Sequence, residues 1–242
     1  MSSNDAHIIQ QNISYHDEVA GDYNAVMDSH QPNQMIRQRV KEKFCSLVPG
    51  YGGRVLDFGG GTGLDLGWLT AAGNKVIFCE PSVGMRDRAI QYEERVLKSG
   101  RVTFLEGEQT DFFTWEKALP FAGKVDAILS DFGPLNYIPD INKMFRCLAK
   151  VIRPGGCFLL LVLHLPFAKR LKWHRRNAIG SLLFRNTFRM YIPYKGHRQM
   201  VFVYTEKEIT KAAAPWFGYG GAELLTEHDF TLIHLIRNEA AD

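Results

Sequence analysis

The sequence contains few cysteines and no regular arrangement of them. Its cysteines include no C-x-x-C pair, and its eight histidines include no H-x-x-x-H pair. A disulfide framework and a zinc site of the usual spacing are therefore disfavoured. We expect reduced cysteines in the core and no bound metal. The four cysteines are Cys45, Cys79, Cys147 and Cys157.

Long hydrophobic runs are also missing. The longest, Cys157–Leu163, has the length of a buried strand and is too short to cross a bilayer. The first twelve residues, MSSNDAHIIQQN, contain no apolar core of a secretory signal, so we expect a cytoplasmic protein. The chain has 242 residues, of which 45% are hydrophobic and 12% aromatic. This length and composition fit one α/β domain with a modest extension.

Acidic residues are absent from about a quarter of the chain. Between Ile141 and Thr205 there is no Asp or Glu, whereas 13 of the 29 Lys and Arg residues lie there. The other 16 basic residues stand against 26 acidic ones, a net charge of −10, although the whole chain carries +3. Such an uneven distribution of charge along a chain indicates which kinds of molecule the protein binds.

A glycine-dense loop lies within residues 54–69, RVLDFGGGTGLDLGWL. The apolar residues before and after the glycines predict a buried strand, a tight turn and the start of a helix. Counted from Gly59, the dinucleotide fingerprint G-x-G-x-x-G requires a glycine where Leu64 stands. The spacing therefore disfavours a nicotinamide oxidoreductase.

The spacing that is present has Asp57 leading into Gly59, Gly61 and Gly63. It resembles motif I of the class I S-adenosylmethionine (SAM)-dependent methyltransferases, whose loop passes beneath the methionine and ribose of the cofactor. Glu80 ends the next apolar run about 20 residues after the loop, where a carboxylate can accept both ribose hydroxyls. The resemblance implies that these five residues bind SAM, with S-adenosylhomocysteine as the product.

Two later segments resemble the same family. The loop at 107–111 resembles one that binds adenine through an acidic side chain and a neighbouring N–H, which assigns Glu108 and Gln109 to the cofactor. The segment 131–137, DFGPLNY, resembles the loop that lines methionine and acceptor in small-molecule methyltransferases. Its resemblance places Asp131 near the methyl donor and Tyr137 near the acceptor. Two further residues are assigned in the same way, Ser130 to the donor and Asn136 to the acceptor.

The family resemblance implies a Rossmann-like, doubly wound α/β fold with a seven-stranded sheet whose last strand is antiparallel. We expect one methyltransferase domain made of an N-terminal helical cap (1–50), a SAM-binding core (51–163), a lid insertion (164–204), and a C-terminal helix and strands (205–242). In the cap, Tyr15 and Tyr23 approximate a tyrosine pattern that covers the cofactor in the family. An alternative is that both tyrosines are the apolar face of a docking helix. The spacing of apolar residues predicts one helix over 15–27, two strands over 189–193 and 199–204 around a turn at 194–197, and two last strands over 222–226 and 230–236.

The chemistry limits which residues need to be catalytic. Methyl transfer from a sulfonium is an in-line displacement, so much of its rate comes from holding acceptor and methyl close together. A base is needed only for a hydroxyl or a protonated amine. His164, at the carboxyl end of the predicted fifth strand, is the first candidate because histidine titrates near neutral pH. A structural histidine is the alternative there, and His197 and His16 are the second and third candidates.

The acid-free segment has three interpretations. It is a solvated surface, or it recognises an anionic acceptor through Arg side chains, or it contacts an anionic membrane or RNA. The small-molecule type of loop at 131–137 favours a small acidic or lipid-like acceptor, with peripheral membrane contact through residues 165–190. The acidic remainder would repel a long polyanion, so nucleic acid is disfavoured. An RNA methyltransferase and a non-catalytic SAM-binding regulator remain the alternatives.

Overall fold

The structure is a computed structural model, and it describes residues 3–48, 52–183, 187–194, 196–225 and 229–239. The strands are β1 (Arg54–Phe58), β2 (Lys75–Cys79), β3 (Val102–Phe104), β4 (Val125–Ser130), β5 (Ile152–Leu163), β6 (Phe188–Tyr194), β7 (His197–Val203), β8 (Phe217–Leu225) and β9 (Phe230–Arg237). The α-helices are α1 (Ser3–Val19), α2 (Tyr23–Ser29), α3 (Gln31–Leu47), α4 (Leu66–Ala71), α5 (Val83–Tyr92), α6 (Ile141–Val151), α7 (Phe167–Trp173), α8 (Arg175–Leu183) and α9 (Glu206–Ala213). Short 3-10 turns lie at Gly107–Thr110, Phe112–Thr114 and Pro134–Tyr137, and a π-helical turn (Glu93–Leu97) continues α5.

Seven strands form one sheet in the order β3-β2-β1-β4-β5-β9-β8. The first five strands are parallel, and β9 is antiparallel to both of its neighbours. The chain order reverses between β1 and β4, so a crevice opens there at the carboxyl ends of the strands. The predicted doubly wound fold with an antiparallel last strand is confirmed.

Both faces of the sheet are covered. Val55 of β1 packs into a cluster with residues of α3, α4 and α5, whereas Leu56 packs into a cluster with residues of α6 and α9. Neighbouring strand residues point to opposite faces, so a strand that is buried on both sides is apolar without alternation. This arrangement explains the continuous apolar runs of the sequence.

Some predicted boundaries were wrong. The N-terminal segment predicted as one helix over 15–27 is two helices, α1 and α2, separated by residues 20–22. The strand predicted to begin at Ala222 begins at Phe217, because its glycines let the backbone approach β9 closely. A Cβ on Gly220 would lie 2.4 Å from the His234 ring. The predicted end of that strand, Thr226, lies outside the described residues.

The segment after β5 forms α7, α8 and the hairpin β6–β7, as the two predicted strands around residues 194–197 required. A small cluster, called here the lid cluster, joins them: Leu165, Ala178, Phe188, Met190, Val201 and Val203. Tyr137 and Leu163 pack against its edge. Phe184, Arg185 and Lys195 lie outside the described residues. No helix in the described ranges is long and apolar enough to cross a membrane.

Candidate active site

A cavity of about 840 Å³ lies at the carboxyl ends of β1, β2 and β4. One wall is α1, which contributes four residues at helical spacing. The opposite wall comes from the glycine loop, the end of β2 and the loop after β4. The α1 residues are Ile9, Asn12, Ile13 and His16, and they face Gly59, Gly61, Glu80, Asp131 and Tyr137.

The three motif glycines have left-handed backbones, with φ of +74° at Gly59, +58° at Gly61 and +79° at Gly63. A Cβ on Gly59 would lie 2.4 Å from Pro134, and one on Gly63 would lie 2.9 Å from the Ala89 side chain. Nothing lies within 4 Å of the position of a Cβ on Gly61, which lines the cavity. Two of the glycines therefore permit close packing, and Gly61 leaves space for a ligand.

Glu80 is buried at the end of β2 and lines the cavity. Its Oε2 accepts a hydrogen bond from the Gly61 N–H at 2.9 Å, and its Oε1 accepts one from the Ser82 N–H at 2.8 Å. Burial raises the pKa of Glu80 to about 7, against the lowering effect of these two N–H groups. Each carboxylate oxygen has a second lone pair, so Glu80 can still accept hydrogen bonds from a ligand.

A smaller cavity of about 300 Å³ adjoins the first and shares Tyr23 and Asp131 with it. Asp57, Asp65, Arg37 and Thr62 complete its polar lining. Arg37 Nη1 lies 3.1 Å from Asp65 Oδ1. Among the described residues, Asp57 Oδ2, Asp131 Oδ2 and Arg37 Nε have no hydrogen-bond partner.

Burial, together with the charge of Asp65, raises the pKa of both Asp57 and Asp131 well above the ordinary value for aspartate. Buried polar atoms without partners are costly, and a bound ligand can compensate them. Two acceptors beside one guanidinium donor suit a ligand that carries an ammonium and a carboxylate together, as the methionine end of SAM does.

The other end of the main cavity holds a chain of three polar side chains. His16 Nδ1 lies 2.8 Å from the Asn12 carbonyl oxygen, and His16 Nε2 lies 3.2 Å from the Gln199 amide nitrogen. Because a carbonyl only accepts, Nδ1 carries the hydrogen and Nε2 is the acceptor. Gln199 also forms a hydrogen bond with the Tyr137 hydroxyl. Burial lowers the pKa of His16 and raises the pKa of Tyr137 to about 12, so both are neutral near pH 7.

Two buried asparagines connect this end of the cavity to the hairpin. Asn12 donates to the carbonyl oxygens of Tyr137 and Met200, and it accepts from the Met200 N–H at 2.9 Å. Asn136 donates to the Phe202 carbonyl at 2.7 Å and accepts from the Leu163 N–H at 2.8 Å. Asn136 therefore joins β5 to β7 and is not among the residues that line the cavity.

The structure brings most of the sequence-predicted site residues together at the two cavities. They are Asp57, Gly59, Gly61, Glu80, Asp131, Tyr137 and Tyr23, and Gly63 lies directly behind them. Tyr15 does not line either cavity. Its ring lies edge-to-face with the His16 ring, with 5.5 Å between the ring centroids, and packs beside Val19, Ala20 and Met85. Ser130 is buried and is likewise outside both linings.

Two groups of predicted residues lie away from the cavity. Glu108 and Gln109 are exposed, and Gln109 caps its own 3-10 turn by accepting from the Glu106 N–H. Thr110 and Phe112 line the cavity at that point. His164 is half-buried outside the cavity lining, and its backbone N–H donates to the Asp229 carbonyl at 2.7 Å. The expectation that His164 faces the crevice is not met, because β5 pairs with β9 up to Leu163.

His197 begins β7, and its side chain is outside the described part of the structure. Sequence reasoning missed Arg37, Asp65 and Gln199. Asp65 follows the glycine motif directly, but a lone Arg in a helix and a lone Gln in a strand carry no signal. Within the described ranges, no group of His, Cys, Asp and Glu could hold a metal ion.

A family model described as a methyltransferase domain matches residues 27–214, more than three quarters of the chain. The chain belongs to this family. It is a SAM-dependent methyltransferase of the class I type, which confirms the predicted family, and the site described above fits SAM as its cofactor.

Comparison with individual proteins adds curated relatives that are tRNA methyltransferases. The tRNA 5-carboxymethoxyuridine methyltransferase of Escherichia coli K12 is 33% identical over 108 residues, which cover 45% of this chain and 39% of that enzyme. The matched part of this chain thus spans about two fifths of the length of the curated relative. The activity of that enzyme as a whole does not transfer to this chain by similarity alone.

Two solved structures have the same fold. The structure of DhpI in complex with S-adenosylhomocysteine has a TM-score of 0.64 at 16% identity and covers 98% of this chain and 99% of its own. The glycopeptide N-methyltransferase MtfA, also with S-adenosylhomocysteine, has a TM-score of 0.61 at 14% identity and covers 81% and 88%. At these identities the likeness concerns the fold alone.

Proposed function

We propose that the protein transfers a methyl group from SAM to a small, anionic or amphiphilic acceptor held in the cavity beneath α1. The observation that carries this proposal is the enclosure of the acceptor end by α1 and the 3-10 turn at 134–137. The residues that line this end are mostly apolar, and α1 covers it, so a folded RNA could reach it only with an extruded nucleotide.

We assign the cofactor groups as follows. Glu80 accepts the ribose hydroxyls, and the open space at Gly61 admits the ribose and the sulfur. Arg37 binds the carboxylate of the methionine end, and Asp57 and Asp131 accept from its ammonium. Thr110 and Phe112 line the adenine side in place of Glu108 and Gln109. When bound, SAM supplies an electrophilic methyl group on a sulfonium.

We infer that His16, rather than His164, is the residue that receives a proton from the acceptor. His16 lines the cavity, and the hydrogen bond that its Nε2 accepts among the described residues comes from the Gln199 amide at 3.2 Å. A hydroxyl of the acceptor can displace that amide and donate to Nε2, while the bond from Nδ1 to the Asn12 carbonyl keeps the ring oriented. Tyr137 positions the acceptor through its neutral hydroxyl. The apolar residues Ile9, Ile13 and Ile138 suit a partly hydrocarbon acceptor.

The proposal is tested by incubating the protein with methyl-labelled SAM and an extract of its own source cells. The label is followed into lipid, small aqueous and nucleic-acid fractions. Label in the lipid or small aqueous fraction supports the proposal and identifies the kind of acceptor. SAM binding without transfer into any fraction would favour a non-catalytic regulator.

An RNA acceptor is the second candidate function, and the similarity to the E. coli tRNA methyltransferase favours it. It predicts label in the nucleic-acid fraction and binding of bulk tRNA that weakens steeply with salt. Label confined to the other fractions would contradict it.

A further inference from the structure

The pair of helices α7–α8 exposes an unusual concentration of large apolar side chains. Six of the sixteen large hydrophobic residues exposed in the described chain lie between residues 167 and 183. Leu182 and Leu183 are the most open, at 66% and 72% exposure. Scattered exposed apolar residues are normal, but a contiguous group marks an interaction surface. The six residues are Phe167, Leu171, Trp173, Ile179, Leu182 and Leu183.

The same helices carry five basic residues and no acidic ones. Lys169 is paired with Asp229 at 2.6 Å, and the Arg170 side chain donates to the Leu165 carbonyl. Lys172, Arg175 and Arg176 are exposed, and no ion pair among the described residues engages them. Cations interleaved with apolar side chains therefore remain available on this surface.

The inner side of the pair is fixed to the protein. Ala178 of α8 is fully buried in the lid cluster, against Phe188 of β6 and Val201 of β7. The exposed residues are thus the outward side of a packed element. The lid cluster in turn contacts Tyr137, which lines the cavity.

We propose that α7–α8 is a binding surface for an anionic lipid membrane. In this arrangement the apolar side chains enter the boundary between headgroups and acyl chains, and Lys172, Arg175 and Arg176 contact lipid phosphates. The chain outside residues 141–205, which carries a net charge of −10, lies away from the membrane in this arrangement. The proposal rests on α7–α8 alone and does not depend on the acceptor.

The composition of the surface favours a membrane over two other occupants, RNA and a second copy of the chain. Four of the six exposed residues are aliphatic, and aliphatic side chains have no ring to stack on unpaired bases, so RNA would leave them in water. A second copy of the chain would bring the same cations face to face in a symmetric dimer, which is unfavourable. An anionic bilayer satisfies both the charge and the apolar surface.

The experiment is co-sedimentation of the full chain with vesicles of phosphatidylcholine mixed with phosphatidylglycerol, and with vesicles of phosphatidylcholine alone. We expect binding to the mixed vesicles only. The double variant Leu182→Ser/Leu183→Ser should lose at least about tenfold in partitioning, as should Arg175→Glu/Arg176→Glu. Val96→Ser, at a residue 65% exposed on the turn before β3, is the matched apolar control, and Lys117→Glu is the matched charge control. Both controls should bind like the wild type.

Three outcomes would overturn the proposal. The first is failure of the wild type to bind mixed vesicles. The second is binding that the α7–α8 variants leave unchanged. The third is an absence of vesicle binding together with another occupant of the surface. That occupant would be bulk tRNA, or a second copy in a wild-type dimer that Leu182→Ser/Leu183→Ser converts to a monomer. Circular dichroism of each variant establishes that a loss of binding is not a loss of folding.

Discussion

The two ends of the cavity are built differently. At the cofactor end, most residues come from consecutive loops at the carboxyl ends of β1, β2 and β4, with Tyr23 and Arg37 added from α2 and α3, and the backbone itself forms part of the wall. At the acceptor end, the residues come from α1, the 3-10 turn at 134–137 and β7, which are far apart in the chain and are joined by Asn12 and Asn136. The cofactor end is therefore built mostly from segments that lie close together in the sequence and carry the family motif. The acceptor end is built from contacts between distant segments that are particular to this chain. Each variant below tests one side of that difference.

The largest effect is expected at the acceptor end. His16→Ala should lower kcat by about 10²–10⁴-fold if His16 receives the proton of the acceptor, and it should leave SAM affinity unchanged. The measurement is single-turnover methyl transfer to the acceptor found by labelling. His164→Ala is the control, because His164 is outside the cavity lining, and it should be as active as the wild type. The reverse pattern, an inactive His164→Ala and an active His16→Ala, would restore His164 as the base.

The next effect belongs to the cofactor end. Glu80→Gln should weaken SAM binding by about 1.5–3 kcal/mol, the usual worth of hydrogen bonds to a charged group. Calorimetry measures this as a roughly 10- to 100-fold rise in Kd. Unchanged affinity would mean that Glu80 does not bind the ribose.

The same variant tests a pH dependence. The pKa of Glu80 is raised to about 7, so the carboxylate becomes protonated, and loses acceptor capacity, as the pH falls through that value. SAM affinity of the wild type should therefore drop about tenfold between about pH 8 and about pH 6. Glu80→Gln cannot titrate and should show a flatter profile. Parallel profiles in the two proteins would assign the titration to another group.

A third effect concerns the connection between α1 and the hairpin. Asn12→Ala leaves the Met200 N–H and two carbonyl oxygens without their partner, so it should cost about 1–3 kcal/mol of stability. Thermal unfolding should show a Tm lowered by several degrees. Ser14→Ala, at an exposed position of the same helix, is the control and should unfold like the wild type. An unchanged Tm for Asn12→Ala would show that α1 is not fixed by this contact.

The smallest effect is expected for Glu108→Ala. This side chain is exposed and outside the cavity lining, so SAM affinity should change by less than about 0.5 kcal/mol. The measurement is again the Kd of SAM by calorimetry. A tenfold loss would show that Glu108 moves to the adenine when the cofactor binds.

The difference between the two ends also explains what could be predicted from the sequence. Asp57, the glycines and Glu80 could be predicted to lie at one site because their positions follow from strand ends, backbone sterics and a fixed spacing along the chain. The three positive φ values, and the empty space at Gly61, are what that pattern requires. These properties depend on a short segment of sequence, so the residues can be predicted without knowledge of the rest of the fold.

The acceptor end could not be predicted in the same way. Gln199 reaches His16 across 183 positions of sequence. One contact of the cofactor end is also long-range, since Arg37 reaches Asp65 from α3. Nothing near either residue in the sequence marks it as part of a site. His164 was chosen because strand ends face the crevice, but the crevice lies at β1 and β4, and β5 is one strand beyond it. Long-range packing, rather than any local motif, decides which histidine lines the cavity.

The bridge from Asn12 to Met200 has a consequence for the order in which the protein is made. Ribosomal synthesis proceeds from the N-terminus, and segments can fold as they emerge. The glycine loop and Glu80 lie within the first third of the chain, whereas α1 acquires its partner on β7 only after Met200 has left the ribosome. During synthesis α1 therefore appears well before β7 and is among the last of these elements to be fixed in place. A nascent chain can thus complete its cofactor end well before the pocket for the acceptor exists.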